Sequence, residues 1–287
     1  MMYFSAFLYF AFGAIIGSFL NVFVLRHNTG KRITGRSACA SCQHRLQWFE
    51  LVPIISWVVQ GGKCTACGSR ISVQYPIVEL STGVLFFIGS TLGLYVVSTA
   101  LYFAIVSILI AIAVYDIKHT IIPDTWVYAF AVLALLFSFT LPQVDPTFVD
   151  ILLRVCVGIA LAAPFALVWL VSKGAWMGLG DAKLMFGIGI LLGFEQAFFA
   201  ILISFVVGAV AGLFLIFLSS DFSKIVRGFT PTLASKRLVR GFTMKSEIPF
   251  GPFLIGVSFV VWIANLHGVF ANLNLINEGL ALLSFWW

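Results

Sequence analysis

STALYFAIVSILIAIAVYDIKHTIIPD, residues 98–124, is the stretch whose reading decides the fold. From Ser98 to Tyr115 it carries no charge, and it then runs into Asp116. About 20 apolar residues cross about 30 Å of hydrocarbon, so the stretch reads as a helix through lipid. A carboxylate at a membrane boundary is costly to desolvate, which makes Asp116 a functional candidate by default. A second aspartate is placed alike: Asp181, in MGLGDAK (177–183), stands before another apolar run.

Working outward, the whole chain has the same character. It is 61% hydrophobic and 10% charged over 287 residues, with a mean hydropathy of +1.07. A water-soluble domain of this length needs far less apolar surface, and a multi-pass membrane protein needs this much. Eight spans are expected, near 3–25, 76–95, 98–115, 124–141, 150–172, 183–194, 196–218 and 250–268. The sixth is short and glycine-rich, as a tilted or broken helix would be. The expected fold is therefore an all-α polytopic membrane protein with about eight transmembrane helices.

The net charge of +6 suggests a nucleic-acid partner until its distribution is read. Of the 17 basic residues, 16 fall in segments that eight spans place on one side, Arg154 being the exception. By the positive-inside rule that side is cytoplasmic and both termini face outward. The basic patches then face anionic lipid headgroups, and no nucleic-acid partner is expected. The first apolar stretch has its charges after it (Arg26, Lys31, Arg32) rather than before, so it reads as a retained helix and not as a secretory signal. Three parts follow: a first transmembrane helix (1–25), a polar cytoplasmic domain (26–75), and a membrane-embedded domain (76–287) with a basic loop at 219–248. Cys156 reads as a small buried hydrophobe, Glu79 as an interfacial carboxylate with a partner, and Trp286 and Trp287 as an interfacial anchor.

The polar domain holds Cys39-Ala40-Ser41-Cys42 and Cys64-Thr65-Ala66-Cys67, two Cys-x-x-Cys pairs 21 residues apart. That spacing points to a tetrathiolate metal site, because each pair turns both sulfurs inward and Zn2+ accepts four thiolates tetrahedrally. Gly68 would ease the second turn. A reducing cytoplasm argues against disulfides. Four sulfurs leave no open position, so the zinc is expected to be structural rather than catalytic.

Asp181 follows Gly178 and Gly180, which let the backbone turn sharply and approach a neighbour closely. If the fold joins Asp116 and Asp181, one is expected to hold a proton, since two carboxylates in a semi-apolar site do not both ionise cheaply. The ionised partner can activate a water, and the protonated one can polarise a carbonyl and protonate a leaving amine. The blander alternative is that each aspartate caps a helix or pairs with Lys118 or Lys183. Asp124, after Pro123, is a rival for the first position and reads as a first-turn acid of the next helix. GIGILLG (187–193) is expected to be a packing surface rather than a cofactor cradle.

Five segments, GSFLNVFVLR (17–26), the cysteine block 36–80, YDIKHTIIPD (115–124), GLGDAKLM (178–185) and IPFGPFL (248–254), carry a resemblance that covers nearly the whole chain. The chain resembles the bacterial type IV prepilin peptidases, bifunctional leader peptidases and N-methyltransferases of pilus, type II secretion and competence systems. The resemblance implies that Asp116 and Asp181 are the catalytic aspartates of a G-x-G-D protease, with Gly178, Gly180 and Lys183 supporting their loop. It also implies cleavage of prepilin or pseudopilin leaders at the cytoplasmic face of the inner membrane. Methylation of the new N-terminus, with S-adenosylmethionine as donor, would follow. A proton- or cation-binding transporter would also use intramembrane aspartates, but needs neither the G-x-G-D turn nor the cysteine domain. A non-enzymatic scaffold would need only the cysteine domain. A metalloprotease would need a His-Glu-x-x-His motif, which is absent from the sequence.

Overall fold

The computed structural model describes residues 2–29, 35–140, 147–229 and 249–268. In chain order its helices are α1 (Met2–Arg26), α2 (Ile55–Val59), α3 (Gln74–Thr91), α4 (Val96–His119), α5 (Asp124–Ser138), α6 (Phe148–Ser172), α7 (Leu179–Leu192), α8 (Phe194–Phe229) and α9 (Gly251–Leu266). Among the described residues, pairing of the β type is confined to two isolated bridges in the cysteine domain. Among the described residues, each expected span overlaps one of the longer helices, with differing ends. Four of them, Ala6–Arg26 within α1, Val96–His119, Phe148–Ser172 and Phe194–Phe214 within α8, are long and apolar enough to cross a membrane. Helices α5 and α9 are apolar but shorter. Helix α7, with 14 residues, reaches only about 21 Å at about 1.5 Å per residue. Trp286, Trp287 and residues 230–248 of the basic loop lie outside the described residues.

Helix α4 does not stop where its apolar run does. It continues through Asp116 to His119, and Thr120, at φ +52°, ends it. The connector to α5 is therefore shorter than the sequence suggests, and Asp116 sits inside a helix rather than at its edge. Asp124 is the first residue of α5, with Pro123 as N-cap, in agreement with its reading as a first-turn acid.

The chain divides into two compact units, Met1–Tyr115 with Pro123–Cys156, and Asp116–Ile122 with Val157–Trp287. In the first, α1 and α3 pack at backbone distance. A methyl group at Gly17 would lie 2.8 Å from Glu79 Cα, and one at Gly13 would lie 2.8 Å from Phe86 Cβ. Small residues four apart allow such an approach between apolar helices. Buried Asn21 fastens the same pair, donating to the carbonyls of Gly17 and Tyr75 at 3.3 and 3.2 Å.

The second unit packs α7 against α8 and α9. Leu184, Met185 and Ile188 of α7 are fully buried. Methyl groups at Gly158 and Gly189 would lie 2.8 Å from the Phe186 carbonyl and 2.9 Å from Gly158 Cα, so GIGILLG is the expected packing surface. Gln196 of α8 donates to Asn265 of α9 at 3.1 Å. Cys156 differs from expectation: it is exposed on α6. An apolar span cannot say by composition which of its faces meets lipid and which meets protein.

Candidate active site

Asp116 and Asp181 line one cavity of about 560 Å3 within the second unit, together with Thr120, Ile122, Trp176 and Phe250. Asp116 is 5% exposed and accepts a hydrogen bond from the Gly251 backbone N–H. That donor belongs to the first turn of α9, where helix N–H groups have no partner of their own helix. The fit is tight, because a methyl group at 251 would lie 2.5 Å from Asp116 Oδ2.

Asp181 is in the first turn of α7, where an acidic side chain favours the positive helix end. It reaches back to the N–H of Gly178, the N-cap, as a residue three positions into a helix commonly does. The two carboxylates interact electrostatically. Neither glycine of the G-x-G-D turn has a positive φ; Gly178 is extended at φ −74°. Gly180 supplies room rather than a sharp turn, since a methyl group there would lie 2.8 Å from Ile122 Cβ. Gly180 thus lets the start of α7 close on the loop that follows Asp116.

Of the remaining candidates, Gly178 and Gly180 line the cavity, whereas Lys183 and Asp124 are not among its lining residues. Lys183 is half-buried two residues further into α7 than Asp181, and Asp124 is exposed. Gly251 is the contributor that sequence reasoning passed over. Its signal was a glycine directly before Pro252 at a helix start, within IPFGPFL.

The four cysteines of the polar domain form the second constellation. Their sulfurs all lie within 4.8 Å of one another, and Cys39 Sγ is 3.9 Å from Cys67 Sγ. Tetrahedral zinc at about 2.3 Å from each sulfur needs separations of about 3.8 Å, so the cluster fits that ion. The two pairs are one turn used twice. Bridges Ala38 to Arg45 and Lys63 to Arg70 close them. Gln43 donates to Cys39 O at 3.0 Å and Gly68 to Cys64 O at 2.9 Å. Gln43 and Gly68 both take left-handed φ, +61° and +70°.

Backbone N–H groups point at the sulfurs, as anionic thiolates require. The Ser69 hydroxyl and the N–H groups of Cys42 and Ser41 lower the Cys39 thiol to about 5. The His44 N–H pulls Cys42 down, yet Cys67 and Cys39 beside it drive it up to about 11. Four thiols this close do not all ionise unaided, and a divalent cation is what permits it. Buried Glu50 braces the two turns. It accepts from the Thr65 hydroxyl and from the Gln47 N–H at 2.7 Å, and lies 3.5 Å from His44. The Thr65 hydroxyl, then the Gln47 N–H, hold its carboxyl below the usual range.

Two family models match the chain: the bacterial peptidase A24 N-terminal domain over residues 11–92 and the type IV leader peptidase family over residues 101–213. Curated relatives are described as prepilin leader peptidase/N-methyltransferase. That of Stutzerimonas stutzeri is 32% identical over 81% of this chain and 72% of the relative. That of Bacillus subtilis strain 168 is 34% identical over 71% of this chain and 80% of the relative. The match to the Myxococcus xanthus relative is 32% identical and covers 74% of this chain but 63% of the relative. No solved structure matches the chain significantly.

Proposed function

The chain belongs to the type IV leader peptidase family, and from that membership we propose that it removes the leader of type IV prepilins and pseudopilins and N-methylates the new N-terminus. The observation that carries the peptidase half is the single cavity lined by both Asp116 and Asp181. With one proton between them, the ionised carboxylate takes a proton from water as the water oxygen attacks the scissile carbonyl carbon. The protonated carboxyl donates to the carbonyl oxygen. As the tetrahedral intermediate collapses, the C–N bond breaks and the amine leaves with a proton from the dyad. The roles belong to the pair rather than to either residue. Apolar neighbours Ile122 and Phe250 lower the local dielectric and strengthen these interactions.

The chain is a multi-pass membrane protein. The substrate's apolar segment lies along its helices, and its charged leader lies in the cytoplasm. The clustering of basic residues in 26–74, near Lys118 and Lys173, and in 224–245 supports the cytoplasmic placement of the dyad. We assign 1–25, 26–75 and 76–287 as first helix, metal-binding domain and peptidase domain.

The cysteine cluster holds one structural zinc. Zinc content per chain, measured by atomic emission, falls from about one in the wild type to background in Cys64→Ser. Undiminished zinc in that variant places the metal elsewhere. Methyl transfer uses S-adenosylmethionine as donor, and GIGILLG, being a packing surface, is not its cradle. Methylation is separable from cleavage. Pre-cleaved substrate supplied to Asp116→Asn is methylated at the wild-type rate, measured by transfer of labelled methyl groups. Failure of methylation there means that the two activities share the dyad.

A further inference from the structure

Residues 48–59, WFELVPIISWVV, form a segment of the metal-binding domain turned inside out. Its one charged side chain, Glu50, is buried. Its apolar side chains face outward: Trp48 79%, Phe49 53%, Leu51 42%, Ile55 62%, Val58 63% and Val59 80% exposed. A water-facing surface tolerates apolar residues scattered singly, but six exposed large ones within twelve positions are the mark of a contact surface. Trp48 stands edge-on to Phe49 at 5.9 Å, and Trp is the residue most at home where headgroups meet acyl chains.

What covers this face follows from where the segment is tied. The Ile54 N–H donates to Glu79 Oε2 at 2.7 Å. Glu79 is buried in the second turn of α3, beside Gly17 and Ser18 of α1. Gly17 and Ser18 lie inside the Ala6–Arg26 span, about 12 Å of helix before Arg26 at about 1.5 Å per residue. The middle of the segment is thus tied to α1 within the depth of its span, on the side of the bilayer where α1 ends at Arg26. Ile54 accepts a strained backbone to reach it. Its φ of +64° and ψ of −53°, with Ile55 N–H donating to Pro53 O at 2.6 Å, make a γ-turn that a β-branched residue rarely adopts. Strain of this kind persists only where surrounding contacts hold it, and buried Glu79 is that contact. Lys63 and Arg70 of the same domain are exposed and suit anionic headgroups.

We propose that residues 48–59 are an interfacial segment that inserts Trp48, Val58 and Val59 into the leaflet on the side where α1 ends at Arg26, seating the metal-binding domain on phospholipid. The occupant is acyl chain and headgroup, not a second protein. Benzoylphenylalanine placed singly at positions 48, 59, 19 and 45 of the full chain tests this in phosphatidylethanolamine–phosphatidylglycerol nanodiscs. After illumination, lipid adducts are counted by mass spectrometry. Position 19 reports the lipid-facing side of α1 (Phe19 is 52% exposed), and exposed Arg45 reports the polar side of the domain. The expected result is lipid adducts at 48 and 59 comparable with position 19 and about tenfold above position 45. Adducts at 48 and 59 no higher than at 45, while 19 is labelled, overturn the proposal. So do crosslinks at 48 or 59 to a second copy or to substrate in place of lipid. Absence of adducts at 19 overturns the reading of α1 as a span, on which the proposal rests.

Discussion

Asp116→Asn and Asp181→Asn each lower leader cleavage by about 10⁴-fold, the upper range for a general acid or base, with protein level and membrane insertion unchanged. Asparagine keeps the shape of the side chain and can still accept a backbone hydrogen bond. The Gly251 and Gly178 N–H groups therefore retain their partners, and packing is spared. What is lost is the exchangeable proton. With one amide in the cavity, the remaining carboxylate can activate water but nothing protonates the leaving amine, or the reverse. The measurement is conversion of full-length prepilin to its mature form, followed by mass spectrometry, with insertion checked by fractionation. Wild-type conversion by either variant would sink the dyad.

Gly251→Ala lowers cleavage by about 10²-fold, the cost of displacing a reacting group by about 1 Å. It does so without altering any ionisable residue. The new methyl group would fall 2.5 Å from Asp116 Oδ2 and 3.4 Å from Ile122 Cδ1, so either the carboxylate or the start of α9 must move. The neighbouring N–H donor moves with it. This variant separates geometry from chemistry: kcat falls, while zinc content and methylation of pre-cleaved substrate stay normal. Unchanged kcat in Gly251→Ala shows that α9 does not position Asp116.

Particular residues show what could be read in advance. The long apolar runs each became a helix, because in lipid every backbone N–H and C=O must be satisfied within its own segment. The cysteine pairs came together as their spacing indicated, since each Cys-x-x-Cys is a local turn whose backbone aims both sulfurs the same way. The end of α4 was misplaced, because polarity marks where apolar character stops while the helix ends only at Thr120. Cys156 was read as buried and is exposed, since lipid and protein interior ask for the same residue types. Neither Gly178 nor Gly180 has a left-handed backbone, whereas the close approach expected of this motif is present at Gly180, against Ile122.

Composition and local pattern by themselves determined the helical class, the cysteine cluster and the two aspartates as candidates. All of these depend on properties carried by neighbouring residues: apolar length, charge position and short-range turns. The tertiary structure alone decided that Asp116 and Asp181 line one cavity and that Asp124 does not line it. It also decided that Asp116 accepts its hydrogen bond from Gly251 of a remote helix. Those facts are contacts between segments far apart in the chain. A missing methyl group at Gly180 or Gly251 acquires meaning only once packing brings another backbone within van der Waals distance.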